Sequence, residues 1–186
     1  MNRWSLCLAA ALAFAANPVH AEGWSIGTNL GFSWLQPKGG GDNLFTAGLP
    51  GSVGQLFPGL QPGLRLGFPI GAGGNEAYFD TGLSVLSISG ESLTGFQVTA
   101  NFQHNFSPTG TSPYITAGGG VLGHSFTDET FTNGVLGAGF GVLNRVADGY
   151  GSLRAELRYD YIAEDQQGFE GGSVIGIKFG FDLWIK

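Results

Sequence analysis

The sequence predicts an all-β fold: an eight-stranded antiparallel transmembrane barrel, built as an up-and-down meander with both termini periplasmic. Three observations lead to this prediction. Large apolar residues alternate with small or polar ones in eight segments of about ten residues each. Aromatic residues gather near the ends of these segments on the apolar face. Charged residues make up only 12% of the chain, about half of their usual share in soluble proteins.

The alternation is clearest between Trp24 and Trp34. Large residues occupy every second position there, and Ser, Gly and Asn fill most positions between them. A period of two is that of a β-strand, whose side chains point alternately to its two faces. With a rise of about 3.3 Å per residue and a tilt of about 40°, the two Trp residues lie roughly 25 Å apart along the membrane normal. That distance matches the apolar band of an outer-membrane barrel, so the large face is predicted to contact lipid.

Seven further segments repeat this pattern along the chain. They are 59–70, 77–85, 95–106, 113–123, 133–143, 153–161 and 175–185. Eight strands of about ten residues are typical of the smallest transmembrane barrels. Because an even number of strands returns the chain to its starting side, the connections divide into periplasmic turns and outer loops. The predicted turns are 71–76, 107–112 and 144–151, and the predicted loops are 36–58, 89–94, 124–132 and 163–172.

Residues 1–21 are predicted to be a cleaved secretory signal peptide, and residues 22–186 to be the barrel domain. Arg3 supplies the positive charge, residues 6–16 form an uninterrupted apolar run, and Val19 and Ala21 are the small residues before the cleavage site. Cys7, the only cysteine, lies in this segment, so no disulfide is expected in the mature chain. The prediction is export through the Sec pathway and, with the barrel strands, insertion into an outer membrane.

Charged residues on the small face are predicted to form an interior ionic cluster. Eight strands enclose a space only just wide enough for side chains, and Gly137, Gly139 and Gly141 leave room for larger residues of the next strand. The cluster comprises Arg65, Asp80, Arg154, Glu156, Arg158, Asp160, Lys178 and Asp182. A symmetric last outer turn places Glu156 opposite Lys178, and we expect these two to pair. Because an unpaired buried charge is costly, a plug of paired charges is favoured over a gated narrow path.

Aromatic residues near strand ends are predicted to lie at the two membrane interfaces. They are Trp24, Trp34, Phe106, Tyr159 and Tyr161. Aromatic residues favour strands in any protein, but their position on the lipid-facing side favours the interface role.

The first outer loop, 36–58, is unusually apolar. Its large residues are Leu44, Phe45, Leu49, Val53, Leu56 and Phe57. Exposed loops rarely carry this much apolar surface without a use. The loop either packs on itself or covers the barrel mouth, touches lipid acyl chains, or binds an apolar ligand or partner. Acidic residues in the other outer loops form either a solvated rim or a contact for the cations that bridge lipopolysaccharide. They are Glu91, Asp128, Glu129, Glu164, Asp165 and Glu170.

No catalytic, cofactor or metal site is predicted, and the protein is not expected to be an enzyme. His104 faces lipid with Ser107 three residues on, while His124 and Ser125 are adjacent and point to opposite faces of a strand. Neither pair makes a His, Ser and acid arrangement, and no phosphate loop or metal-spaced cluster is present in the sequence. The net charge of −6 argues against nucleic acid as a partner.

Three segments resemble the small outer-membrane β-barrel family, which includes OmpA-like transmembrane domains and the opacity-type, OmpX-like and OmpW-like barrels. Residues 152–161 resemble the penultimate strand of that family, and residues 113–120 are similar to its Pro-Tyr-x-x-x-Gly-x-Gly strand. Residues 178–186 resemble the C-terminal signal read by the barrel-assembly machinery, although Ile185 and Lys186 stand where a terminal aromatic is usual.

The resemblance implies an outer-membrane protein of Gram-negative bacteria with structural or surface roles carried by its outer loops. The expected partners are outer-membrane lipid and lipopolysaccharide, the barrel-assembly machinery during insertion, and a surface or host partner at the outer loops; the protein is expected to be a monomer. One alternative is a narrow channel or a small hydrophobic-solute path gated by loop 36–58, as in the OmpW type. A second is a lipid A-modifying barrel enzyme, and a third is a soluble lipocalin-like barrel.

Overall fold

Nine β-strands make up nearly all of the described part of the chain. The computed structural model describes residues 23–38, 44–48, 63–71, 74–88, 91–107, 109–126, 129–163 and 171–185. The strands are β1 (Trp24–Pro37), β2 (Leu44–Gly48), β3 (Leu64–Ile70), β4 (Asn75–Ile88), β5 (Glu91–Asn105), β6 (Thr111–Phe126), β7 (Glu129–Val146), β8 (Gly151–Ile162) and β9 (Gly172–Ile185). A 3₁₀ turn, Ala147–Gly149, joins β7 to β8. No helix among these residues is long and apolar enough to span a membrane.

Eight of the nine strands close into an antiparallel barrel. From β3 onward each strand pairs with the next one in sequence, and β9 returns to pair with β1 from Trp24–Ile185 to Pro37–Gly172. β1 uses its other edge for two strands: β3 pairs with residues 25–28, and the short β2 pairs with residues 31–35. The predicted eight-stranded up-and-down barrel is therefore confirmed, with β2 as an additional strand beside β1.

The strand register determines how steeply the strands are inclined. A path across directly paired residues leaves β1 at Ile26 and returns to it at Gln36, ten residues further along. It passes through Leu66, Phe79, Ala100, Gly119, Leu136, Tyr161 and Ser173. For eight strands about 4.8 Å apart with a rise of about 3.3 Å per residue, this offset requires a tilt of about 41°. That tilt falls in the range of small membrane barrels, roughly 35–45°.

The two faces of the wall have opposite polarity. Along β8 the exposed and buried positions alternate from residue to residue, with Leu153 and Leu157 exposed and Arg154 and Arg158 buried. In β1 the Trp34 side chain is 59% exposed, whereas its neighbour Ser33 is 1% exposed. The apolar face therefore points outward and the polar face inward, as the alternation in the sequence predicts.

Several strand ends differ from the sequence prediction. Two predicted loops, 89–94 and 124–132, are largely strand, because β4 and β5 extend to Ile88 and Glu91 and β6 and β7 extend to Phe126 and Glu129. β2 lies within the predicted loop 36–58, and β3 begins at Leu64; residues 59–62, predicted as the start of that strand, lie outside the described residues. Paired strands go on satisfying each other's backbone groups beyond the apolar band. The alternation of side chains fades there, so the sequence alone does not mark these ends.

Candidate functional site

Among the described residues, nine charged side chains are buried in the barrel interior. All eight predicted members of the ionic cluster are buried, none more than 5% exposed. The ninth is Glu76, which is 2% exposed; the prediction assigned it to a turn, but β4 begins at Asn75 and carries Glu76 inward. Of these nine residues, four are cationic and five are acidic, whereas the eight predicted members alone comprise four of each sign.

Arg154 and Asp182 form the tightest ion pair of the interior. Arg154 Nε lies 2.6 Å from Asp182 Oδ2, and Arg154 Nη2 lies 2.9 Å from Asp182 Oδ1. Two parallel bonds of this kind fix orientation as well as distance. Ser152 Oγ donates to the same carboxylate at 3.0 Å, and Arg154 Nη2 also donates to Asn29 Oδ1 at 3.0 Å. The pair thus connects β8, β9 and β1.

Arg65, on β3, is fully buried in the barrel interior. Its Nη2 lies 2.9 Å from Glu76 Oε1 and donates to Gln103 Oε1 at 3.0 Å. The guanidinium carbon lies 3.5 Å from the centre of the Tyr78 ring, a cation–π geometry that favours Arg. Arg65 Nε lies 3.8 Å from Asp182 Oδ1, which connects this group to the Arg154 pair.

Lys178 crosses the interior to reach Asp80. The expected register is present, since Glu156 lies opposite Lys178 on neighbouring strands. The side-chain pairing differs: Lys178 Nζ lies 3.0 Å from Asp80 Oδ2, and Asn29 Nδ2 donates to Asp80 Oδ1 at 3.1 Å. In a narrow barrel a long side chain reaches residues on the far wall as readily as those beside it, and the sequence contains no direct sign of such contacts.

Glu156 and Arg158 belong to a second group of contacts. Arg158 Nε lies 2.8 Å and 3.0 Å from the two carboxylate oxygens of Asp160, and its Nη2 donates to Asn101 Oδ1 at 3.0 Å. Glu156 Oε2 accepts a hydrogen bond from Tyr114 Oη at 3.0 Å. Glu156 Oε1 and Arg158 Nη1 lie 3.8 Å apart, and neither has a hydrogen-bond partner.

Glycine residues on β7 make room for these side chains. Gly137 lies opposite Asp160, and Gly141 lies opposite Glu156. A methyl group at Gly137 would overlap the Asp160 carboxylate, and one at Gly141 would overlap the Tyr114 ring. The glycine positions are therefore required by the size of their neighbours.

An apolar layer lies inside the barrel next to the charges, and sequence reasoning missed it. It consists of Leu35, Leu122, Val135, Ile162 and Val174. None is more than 5% exposed. Val174 lies opposite both Asp160 and Leu35, so the layer adjoins the charges on the side away from the chain termini, which we call the loop end. The sequence does contain a sign of this layer: toward the loop end of five strands, the inward-facing residues change from polar to apolar.

Asn133 lies at the same end. It is 2% exposed, faces inward two residues before Val135, and pairs with Leu122 on β6. Its Nδ2 donates to Ala163 O at 3.0 Å, while its Oδ1 has no hydrogen-bond partner. The layer therefore has one unused buried acceptor beside it.

The predicted interface aromatics all lie on the outer surface of the barrel. Each is at least 39% exposed; they are Trp24, Trp34, Phe106, Tyr159 and Tyr161. Trp34 contacts Phe45 of β2 with ring centres 4.9 Å apart. Tyr159 Oη lies 2.8 Å from Ser173 Oγ.

The predicted apolar loop is described only in part. Phe45 is exposed, and Leu44 pairs with Leu35 in the register of β2. Four further loop residues lie outside the described residues: Leu49, Val53, Leu56 and Phe57. Of the acidic loop residues, Glu91 and Glu129 begin strands. The others, Asp128, Glu164, Asp165 and Glu170, lie outside the described residues.

His104 and Ser107 do not form a catalytic arrangement. His104 Nδ1 lies 2.7 Å from Asn75 Oδ1, and its ring meets the Phe106 ring edge-on at 5.0 Å. Ser107 Oγ donates to Thr109 O at 3.0 Å. In the described ranges, no three His, Cys, Asp or Glu side chains are grouped as metal ligands.

Comparisons with known proteins show likeness in structure alone. No protein-family model and no curated protein matches the sequence. The attachment invasion locus protein Ail of Yersinia pestis is similar with a TM-score of 0.49 and 16% identity, over 88% of this chain and 99% of that one. The N-terminal β-barrel domain of Pseudomonas aeruginosa OprF has a TM-score of 0.45 and 14% identity, over 88% and 100%. The outer membrane enzyme PagL has a TM-score of 0.41 and 15% identity, over 84% and 99%.

These neighbours are small outer-membrane barrels. Because these TM-scores are below 0.5, the fold assignment rests on the closed strand register of this chain itself.

Proposed function

We propose that this protein is an integral outer-membrane barrel with a plugged polar interior and a structural or surface-interaction role carried by its outer loops. The observation that supports this most is the inverted polarity of the wall. The outward side chains are large and apolar, whereas the buried ones are mainly polar or charged. In water this arrangement would expose most of the apolar surface, while in a bilayer it places that surface against lipid.

The proposed orientation places the loop end outside the cell and both termini in the periplasm. Trp34 and Phe106 lie near opposite ends of the outward face, where aromatic side chains suit the two interfaces. Export would use residues 1–21 as a signal peptide, and insertion would use the barrel-assembly machinery. Lipopolysaccharide and a surface partner would then meet the outer loops of a monomeric barrel.

The proposed plug is the ionic cluster together with the apolar layer. An ion crossing the barrel would have to separate the Arg154–Asp182 and Arg158–Asp160 pairs, both deeply buried. It would then have to cross five aliphatic side chains, and a dry apolar constriction resists ion passage. A plug of this kind is favoured over the narrow channel.

Planar-bilayer recording tests the plug directly. The expected result is no stable conductance from the wild-type barrel. Arg158→Ala would leave Asp160 without its partner, and Leu157→Ala, on the lipid-facing side of the same strand, is the matched control. Stable wild-type conductance that Arg158→Ala alters and Leu157→Ala does not would contradict the plug and favour the channel.

The proposal includes no catalysis. Lipid A isolated from cells with and without the protein is expected to give the same mass spectrum. If lipid A loses or gains an acyl chain only when the protein is present, the proposed structural role is wrong and the protein is a lipid A-modifying enzyme.

A further inference from the structure

We propose that His104, held by Asn75, binds the ammonium group of a phospholipid headgroup that carries an N–H, as phosphatidylethanolamine does. The headgroup donates to His104 Nε2 on the lipid-facing surface, at the end of the barrel opposite the loop end. The inference rests on the proposed lipid-embedded barrel and adds to it a class of lipid that the wall selects.

His104 and Asn75 face outward near the ends of two paired strands. Gln103 and Asn105, the neighbours of His104 in sequence, are buried in the interior at 0% and 4% exposure, so the side chain between them lies on the outer face. Asn75 lies directly opposite His104 on β4. β4 begins at Asn75 and β5 ends at Asn105. The pair is therefore at the edge of the wall that the proposed orientation places at the periplasmic leaflet.

Apolar side chains lie beside this polar pair on the outer face. Ile115, directly opposite His104 on β6, is 50% exposed, and Phe106, two residues further along β5, is 60% exposed. The His104 and Phe106 rings meet edge-on, with centres 5.0 Å apart and an angle of 83° between their planes. An exposed aromatic side chain at the end of a strand suits the membrane interface. The pair therefore lies at the depth of the lipid headgroups.

The contact with Asn75 determines which ring nitrogen of His104 carries the hydrogen. His104 Nδ1 lies 2.7 Å from Asn75 Oδ1. A carbonyl oxygen only accepts, so Nδ1 donates, and in the neutral ring Nε2 is left as an acceptor. Among the described residues this is the only hydrogen bond of the ring. Nε2 therefore needs a donor that the lipid or water supplies.

The headgroup nitrogen is the donor that suits this position. An ammonium N–H is a charged donor, and its hydrogen bonds are stronger than those of a neutral group. Choline carries the same charge but has methyl groups in place of every hydrogen on its nitrogen, so it has nothing to donate. The face of the Phe106 ring attracts either cation and does not distinguish them. Selection between the two headgroups therefore depends on Nε2.

Three lipids that differ only at the headgroup nitrogen test this assignment. Phosphatidylethanolamine and its N,N-dimethyl derivative keep an N–H, whereas phosphatidylcholine, which is close in size to the dimethyl form, does not. The full chain, with nitrogen-15 histidine and methyl-labelled valine, is placed in phosphatidylcholine nanodiscs at about pH 7.5, which favours neutral imidazole. The lipid is then replaced stepwise by each of the other two.

We expect the His104 Nε2 resonance to move toward that of a hydrogen-bonded acceptor with both N–H lipids. One hydrogen bond should give a preference of about five-fold over phosphatidylcholine. Half of the shift is then reached when the N–H lipid is about one sixth of the total. A midpoint at about one half would mean no selection, and no shift would mean that water is the partner. Either result would overturn the proposal.

Val142, which is 46% exposed on the outward face of β7, separates failure of the lipid site from failure of the barrel. Its methyl groups should show nuclear Overhauser contacts with lipid acyl chains in every sample. Without those contacts the lipid-embedded barrel itself is wrong. With them, an Nε2 resonance that responds to no lipid removes only the headgroup site.

Variants separate the acceptor from its support, with nuclear Overhauser contacts between the Phe106 ring and the headgroup methylenes as a readout that needs no imidazole. His104→Phe should move the midpoint from about one sixth to about one half. Asn75→Leu should let both tautomers of the ring appear and weaken the selection. Ile115→Leu, on the other side of His104, is the matched control and should leave the midpoint unchanged.

Folding of each variant is verified by its heat-dependent migration on gels. Selection that survives His104→Phe would overturn the role of His104. If that variant does not fold, the wild-type titration with the dimethyl lipid decides, because a midpoint at about one half there overturns the role as well.

Discussion

Among the described residues, strand pairing is continuous through β7, β8 and β9, which we call the continuous side, whereas β1 shares one edge between the short β2 and β3, which we call the interrupted side. β8 pairs with β7 and with β9 through twelve residues each. β1 divides one edge between β2, with five pairs, and β3, with four. Most of the described charged side chains of the interior lie on the continuous side.

The difference follows from composition. On the continuous side, glycine alternates with large outward residues, so the strands approach closely without interruption. On the other side, residues 49–62 separate β2 from β3 and include three proline residues, Pro50, Pro58 and Pro62. Proline has no backbone N–H to give to a central strand. Within the described strands, β1 thus forms nine pairs along this edge, whereas β8 forms twelve pairs along each of its edges.

The largest expected effect is at the centre of the continuous side. Arg154→Ala removes both bonds to Asp182 and leaves a buried carboxylate poorly compensated, so we expect the free energy of unfolding to fall by about 3–5 kcal/mol. Urea unfolding of the barrel in liposomes, followed by gel migration, measures it. Leu153→Ala, on the lipid-facing side, is the control and should cost clearly less. Equal losses would show that the continuous side does not depend on its ion pairs.

A smaller effect is expected at the glycine residues that leave room for those charged side chains. Gly137→Ala places a methyl group on the Asp160 carboxylate, and the resulting strain should lower the free energy of unfolding by about 1–3 kcal/mol. Ala138→Ser, at the neighbouring position on the outward face, is the control that shows whether any substitution in β7 lowers the stability. The same urea titration applies, and an unchanged midpoint for Gly137→Ala would contradict the packing seen between β7 and β8.

Double-mutant cycles distinguish pairing across the barrel from pairing along the wall. Asp80→Asn with Lys178→Met should show a coupling energy of about 0.5–3 kcal/mol, since the two residues form an ion pair. Glu156→Gln with Lys178→Met should show less, although these two are directly opposite in register. A larger coupling for Glu156 would restore the pairing expected from the sequence.

The smallest effect is expected on the interrupted side. Trp34 and Phe45 stack across β1 and β2, and an aromatic pair of this kind contributes about 0.5–1.5 kcal/mol. A cycle of Trp34→Leu and Phe45→Leu isolates that contribution, and Trp34→Leu with Ile26→Leu, which has no part in the ring contact, is the comparison. No coupling between Trp34 and Phe45 would mean that β2 contributes nothing to the stability of the wall.

The sequence predicted the strands where one face differs sharply from the other. In β8 every predicted inward charge is buried, because strict alternation leaves one possible orientation. Glu76 was missed because glycine and asparagine nearby suggested a turn that includes it. β2 was missed because five residues among glycines and prolines give no alternation long enough to recognise.

The sequence by itself determined the eight strands of the barrel, the outward face and eight of the nine described interior charges, since a period of two assigns each residue to a side. Only the tertiary structure decided the partners of those charges and the apolar layer. These depend on closure of the barrel, which brings Lys178 of β9 within reach of Asp80 of β4 and places the five aliphatic side chains of the layer at one level. Residues far apart along the chain meet there because the strand register is offset by ten residues around the closed barrel. Alternation within a single strand gives no information on that offset.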